Sequence, residues 1–240
     1  MRRLIFALGL ILLITGAFFV WRLIRYYSIP ETPRTTVIIF EGWTVDDVNR
    51  QLRDVGVLTD GELGDELEGY LFPDTYEFFL DSTVEVVQKR FLDNFEEQVR
   101  KIGLDVNHKD LKETIIMASL LEKEVRDLKE KRIASGILWK RLENEMPLQV
   151  DATICYLKLP KDCLPITGSD KKIDSKYNTY LYRGLPPGPI GNPGADSILA
   201  ATRPATSPYW YYLSNQVTGE TVFAKTLDEH NRNIVKYLNE

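Results

Sequence analysis

Apolar positions along this chain fall mostly into helical stripes, broken by a few short extended runs. The central stripe lies in Leu111 to Arg126, where Leu111, Ile115, Ala118, Glu122 and Val125 recur at intervals of four and three residues, the spacing of one buried helix face. Ahead of it, Val84, Val87, Phe91, Phe95 and Val99 mark the face of a long helix, opened by Ser82 or Thr83 and closed by Gly103. Behind it, Asp127 opens a further helix with Ile133, Ile137, Leu138 and Leu142 on one side. Short turns between these stretches predict helices packed around the central stripe.

The flanks read differently. Val37 to Phe40 suits a strand, and the turn Glu41-Gly42-Trp43-Thr44 leads into a helix through Val55, with Thr44 as N-cap and Asp47 at the capping-box position. After Pro147, Gln149 to Tyr156 predicts a short helix or turn, and Lys158 to Lys176 a polar loop. A dense run of proline and glycine from Gly184 to Gly194 then leads into a helix over Asp196 to Thr202. Such a run holds a fixed, non-repetitive backbone, suited either to the wall of a site or to a stiff connector. Tyr209 to Leu213 and Thr221 to Ala224, around the turn at Thr218-Gly219-Glu220, predict a β-hairpin. The last helix, Leu227 to Leu238, carries His230, expected at the surface or in a cap. The class is α+β, mainly helical.

At the N-terminus, Leu4 to Trp21 carries no charge and is bracketed by Arg2/Arg3 and Arg22/Arg25. That length suffices to cross a bilayer, and the residues after Gly16-Ala17 are too bulky for a signal-peptide cleavage site. The expected organisation is a cytoplasmic tip and uncleaved transmembrane anchor (1–25), a linker (26–35), a small βα unit (36–66) and a main domain (67–240) outside the membrane. The net charge is -5, and setting aside the four arginines before Pro30 leaves the remainder more acidic still, which argues against a partner held by phosphate contacts, nucleic acid above all. With two histidines, and no HExxH or paired CxxC, no metal site is expected. The two cysteines, Cys155 and Cys163, suit either one disulfide in an exported domain or two free thiols.

Glu122 is the odd member of the central stripe. A carboxyl pressed against Leu, Ile and Ala favours its neutral form, and a neutral carboxyl near pH 7 can act as a general acid. The competing reading makes Glu122 the edge of the apolar face, bridged to Arg126 one turn on. The aromatic segment LEGYLFPDTYEFF (67–79) fits either a sugar-stacking cleft or a seam between structural units.

Five stretches, in order, together resemble the YceG family of endolytic murein transglycosylases: LEGYLFPDTYEF (67–78), ASLLEKE (118–124), LQVDATICY (148–156), YNTYLYRGLPPGPIGNPG (177–194) and FAKTLDEHNRN (223–233). The resemblance implies a single-pass inner-membrane protein whose extracytoplasmic domain cuts nascent peptidoglycan glycan strands without a cofactor, with peptidoglycan synthases as candidate companions. It points to Glu122, the first acid of the ASxxEKE-like motif, as catalytic. It also implies a groove formed by Gln149, Asp151, Thr153, Asn178 and Tyr180, with Gly184, Pro187, Gly188 and Asn192 of the proline-glycine run. Glu41 to Gly56 resembles the family's LysM-like module, here with less chain around it, and the His that often precedes the Phe of the final strand is absent before Phe223.

One acid suffices for such a reaction, because the muramyl 6-hydroxyl can close on C1 in place of water. A lysozyme-like hydrolase would need a second carboxylate, for which Asp151 and Glu68 are the candidates. A non-catalytic peptidoglycan-binding scaffold is the alternative from outside enzymology.

Overall fold

A computed structural model describes residues 13–22, 33–158, 166–215 and 218–238. The expected anchor falls largely outside them. Its described part is a helix, α1 (13–22), and among the described residues no helix is long and apolar enough to cross a membrane. Residues from Thr35 onward form one compact unit.

The first strand, β1 (Arg34–Ile38), pairs with β2 (Thr75–Phe79) in a two-stranded sheet. Between them lie α2 (Val45–Asp54) and a 3-10 turn at Asp65–Leu67. The helix begins as its sequence predicts. Thr44 and Asp47 form a reciprocal capping box, satisfying two backbone N–H groups that a helix start leaves unpaired.

Then follow α3 (Val84–Lys101), α4 (Leu111–Glu124), α5 (Leu128–Glu143), α6 (Asp151–Lys158) and α7 (Ala195–Thr202). The strands β3 (Tyr211–Ser214) and β4 (Thr221–Ala224) pair antiparallel, with Tyr211 opposite Ala224 and Ser214 opposite Thr221, and α8 (Leu227–Leu238) closes the chain. The α+β class and every expected helix after residue 43 are present. Cys155 is disulfide-bonded; Cys163 lies outside the described residues.

Two apolar clusters organise the unit, and α3 serves both. Its Val87 and Phe91 join Val37, Val48, Leu52, Tyr76 and Phe78 around the small sheet. One to two turns on, its Phe95 and Val99 join Ile115, Leu121, Leu138 and Ile198 in the helical core. The small βα unit is thus fused to the main domain by a shared helix rather than tethered to it. The aromatic segment proves to be a seam. Tyr76 stacks with Phe78 and meets Phe91 at 4.5 Å between ring centres, while Tyr70 meets Phe95 edge-on at 5.1 Å.

The helix at the centre, α4, is buried at every residue from Ile115 to Leu121. A helix enclosed on all sides has no single apolar stripe, and this decides how its last turn is used.

Candidate active site

The final turn of α4 reads Glu122-Lys123-Glu124, and steps of about 100° per residue send the three side chains in three directions. Glu122 points to the α5 and α7 side. Its Oε1 accepts from Lys131 Nζ at 3.0 Å and its Oε2 from the Gly194 backbone N–H, the N-cap of α7, at 2.9 Å. The side chains of Glu122 and Lys131 are 8% and 4% exposed. The expected apolar bed is therefore absent. Glu122 sits in a buried ion pair at a helix N-terminus, where the axial dipole also favours a carboxylate, and its partner is Lys131 rather than Arg126. Beside it, the Glu41 carboxyl is raised above its ordinary value by burial and by the charges of Glu122 and Asp196, against the opposing pull of Lys131.

Lys123 runs over Gly42 and Gly191 on another side. Glu124 points into a cavity of about 850 Å³, whose wall also holds Gln149, Asp151, Tyr180, Arg141 and Tyr212. Burial pushes its carboxyl up to about 7, reinforced by the charge of Asp151 and opposed by hydrogen bonds from the Ala152 N–H, at 3.3 Å, and the Tyr212 hydroxyl. The α4 helix ends at Glu124, and Val125 is already extended.

Three residues expected to line a groove do so. Gln149 is held in the left-handed region at φ 55° while its N–H donates to Thr179 O at 3.1 Å, and its side chain is exposed at the cavity wall. A non-glycine residue held there carries backbone strain of the kind that persists at binding sites. Asp151 accepts from the Tyr180 hydroxyl and lies 3.7 Å from Lys171 Nζ, and that ammonium sits over the Tyr180 ring at 4.4 Å.

The other expected groove residues have internal tasks. Thr153 is fully buried, donating to Val150 O at 2.7 Å and meeting Thr179 at 3.1 Å. Asn178, also fully buried, clamps the Lys171 and Ile173 carbonyls and accepts from the Tyr180 N–H, which fixes the loop that carries Tyr180. Asn192 joins the two clusters: its Oδ1 accepts from Leu71 N–H, its Nδ2 donates to Trp43 O, and its backbone exchanges two hydrogen bonds with Gly42 and Trp43, all at 2.8 Å. Gly184, Pro187 and Gly188 do not line this cavity. The proline-glycine run is a connector with close backbone contacts. Ile190 N–H donates to Ser119 Oγ at 3.1 Å, and a Cβ on Gly191 would come within 2.7 Å of Gly42 O.

The sequence reading missed Glu124, Arg141, Tyr211, Tyr212 and His230 as cavity residues. His230, expected at the surface or in a cap, lies at the cavity wall and stacks on Tyr211 with ring centres 5.4 Å apart. Glu68 does not reach the cavity. It is 9% exposed and accepts from Val45 N–H at the start of α2, and burial raises it to about 7. It is thereby removed as the second carboxylate of a hydrolase at this site. Among the described residues no group of histidine, cysteine and carboxylate side chains could hold a metal ion.

The fold and cavity define a helical domain with one raised carboxyl facing a polar, tyrosine-rich hollow. The chain belongs to the YceG-like family, whose pattern matches residues 19–236. It is 38% identical over 175 residues to an endolytic murein transglycosylase of Bacillus subtilis, a match covering 72% of this chain and 48% of that protein. It is 30% identical over 183 residues to an endolytic murein transglycosylase of Streptococcus pneumoniae, covering 72% of this chain and 32% of the other. The chain thus spans about half the length of the first relative and a third of the second. The crystal structure of a YceG-like protein from Listeria monocytogenes superposes with a TM-score of 0.71 at 31% identity, covering 82% of this chain and 75% of that one.

Proposed function

We propose that this protein is an endolytic peptidoglycan transglycosylase, cleaving the β-1,4 bond between N-acetylmuramic acid and N-acetylglucosamine, and that Glu124, rather than the expected Glu122, is its acid. The observation that carries the assignment is the pairing of position and protonation: Glu124 faces the cavity with its carboxyl raised to about 7, whereas Glu122 has both oxygens occupied by Lys131 and Gly194. The names of the Bacillus and Streptococcus relatives support the reaction class.

In this mechanism protonated Glu124 donates to the glycosidic oxygen as the C1–O4 bond breaks, releasing the N-acetylglucosamine end with its 4-hydroxyl restored. The carboxylate then accepts the proton of the muramyl 6-hydroxyl as O6 bonds to C1, giving a 1,6-anhydro end and returning Glu124 to its acid form. No water is consumed. Tyr212, donating to Glu124, aims the carboxyl, and Asp151 holds the Tyr180 hydroxyl against the same cavity. Each proton transfer contributes roughly 10²–10⁴-fold.

The uncharged run Leu4 to Trp21 supports a single-pass anchor in the cytoplasmic membrane with the domain outside, where the glycan lies. Asp151, in the same cavity, is what a hydrolytic rival would use. Digestion of purified, uncrosslinked glycan strands separates the two. Anhydro ends that disappear in Glu124→Gln support the proposal, and reducing ends one water heavier overturn it in favour of hydrolysis. Unchanged cleavage by Glu124→Gln overturns the assignment of the acid.

A further inference from the structure

Arg141 lines the same cavity and is 6% exposed, yet it forms no ion pair among the described residues. Two of its donors are spent on backbone: Nε on Trp210 O at 3.0 Å and Nη1 on Leu148 O at 2.9 Å. The guanidinium lies over the Tyr211 ring, 5.1 Å from its centre. These contacts fix its plane, and among the described residues Nη2 has no hydrogen-bond partner. A buried cation without a counter-ion is costly, and a guanidinium oriented in advance presents a fork of N–H donors suited to a carboxylate. The carboxylates of the cavity are otherwise engaged: Asp151 takes the Tyr180 hydroxyl and lies near Lys171, and Glu124 takes Tyr212 and the Ala152 N–H.

We propose that Arg141 is the anion-recognising residue of the cavity, binding a carboxylate carried by the muramyl unit of the substrate. The proposal rests on the glycan-cleaving reading above. Two sources share this chemistry, the lactyl carboxylate of a bare muramyl residue and a carboxylate of an attached peptide. Either would anchor the sugar in the cavity whose wall also holds Glu124 and Tyr212.

The test is a binding titration on the full chain, followed by NMR, with three probes: N-acetylmuramic acid, its methyl ester, and N-acetylmuramyl-alanyl-isoglutamine, whose only carboxylate is in the peptide. Wild type is expected to bind at least one acid roughly tenfold or more tightly than the ester, the scale of a charge-assisted hydrogen bond. The acid that wins identifies the source. Arg141→Met is expected to lose that preference and Arg141→Lys to keep part of it. Should Arg141→Met fail to fold, wild type and Arg141→Lys decide. Equal affinity for acids and ester in wild type, no binding of any probe, or a preference that survives loss of the guanidinium fork overturns the proposal. Because the titration needs no turnover, it stands apart from the digestion assay: cleavage without acid preference removes only this inference, and acid preference without cleavage removes only the reaction.

Discussion

Glu122 and Glu124 lie two residues apart on the same helix and occupy opposite kinds of environment. Around Glu122 the protein supplies a buried ammonium and a helix N-terminus, fixed donors that complete a carboxylate and leave nothing for a substrate. Around Glu124 it supplies burial, a nearby acid and a tyrosine at the edge of an open cavity. Burial alone does not make an acid catalytic. What surrounds it in the remaining directions decides whether it cements the fold or holds a transferable proton.

The largest expected effect of separating the two regions is on turnover. Glu124→Gln should lower the rate of glycan cleavage by at least about 100-fold while leaving the melting temperature at about pH 5, where the folded protein already holds that proton, close to wild type, measured by product analysis and calorimetry on the same preparation. Next comes the ion pair. Glu122→Gln leaves Lys131 buried and uncompensated, and breaking such a pair costs roughly 3–5 kcal/mol, read as a lowered denaturation midpoint. Adding Lys131→Met should recover part of that loss, because the stranded charge is then gone. A Glu122→Gln protein of wild-type stability would undo the contrast.

A smaller effect follows from pH. Glu124 and Glu68 are both raised to about 7 by burial, so between about 4.5 and 7 the folded chain holds protons that the unfolded chain has released. Their contribution to stability is complete below about pH 4.5 and is lost as pH rises through about 7, on the order of 1–3 kcal/mol each. Chemical denaturation from about pH 5 to 8 should show this decline, and Glu124→Gln should reduce its slope. In the same range kcat/KM should fall as the acid is titrated away. The smallest effect is that of Tyr212→Phe. The Tyr212 hydroxyl lowers the Glu124 carboxyl by donating to it, so its removal should move the alkaline limb of the pH-rate profile upward by less than about one unit and cost roughly 1 kcal/mol of stability.

How much of this was legible in the sequence depended on whether local rules sufficed. The capping box at Thr44 and Asp47, the α3 face, the β3–β4 hairpin and α8 were all readable, because each rests on contacts between near neighbours in sequence. The site was half readable. Gln149, Asp151 and Tyr180 line the cavity, but Thr153 and Asn178 spend their hydrogen bonds on the carbonyls of Val150, Lys171 and Ile173 nearby in the chain, and Asn192 on that of Trp43, far away in sequence. The difference in surroundings between Glu122 and Glu124 was hidden for a physical reason. The apolar stripe of α4 marks an inner face only where the other faces meet water, and here Ile115 to Leu121 are buried all round. Lys131 and Arg141 of α5 are charged residues that helical periodicity alone does not mark as buried, yet they are 3% and 6% exposed; the carbonyls of Leu148 and Trp210 that receive Arg141 come from segments no helical periodicity connects to it.

The distinction between the two acids comes down to where a proton resides near neutral pH. Carboxyl-selective carbon NMR of the Glu124 side chain, assigned by comparison with Glu124→Gln and followed as pH is varied, reads that directly. The account predicts a midpoint of about 7 that coincides with the alkaline fall in cleavage rate. A midpoint near 4.5, the ordinary value for a glutamate, would contradict it.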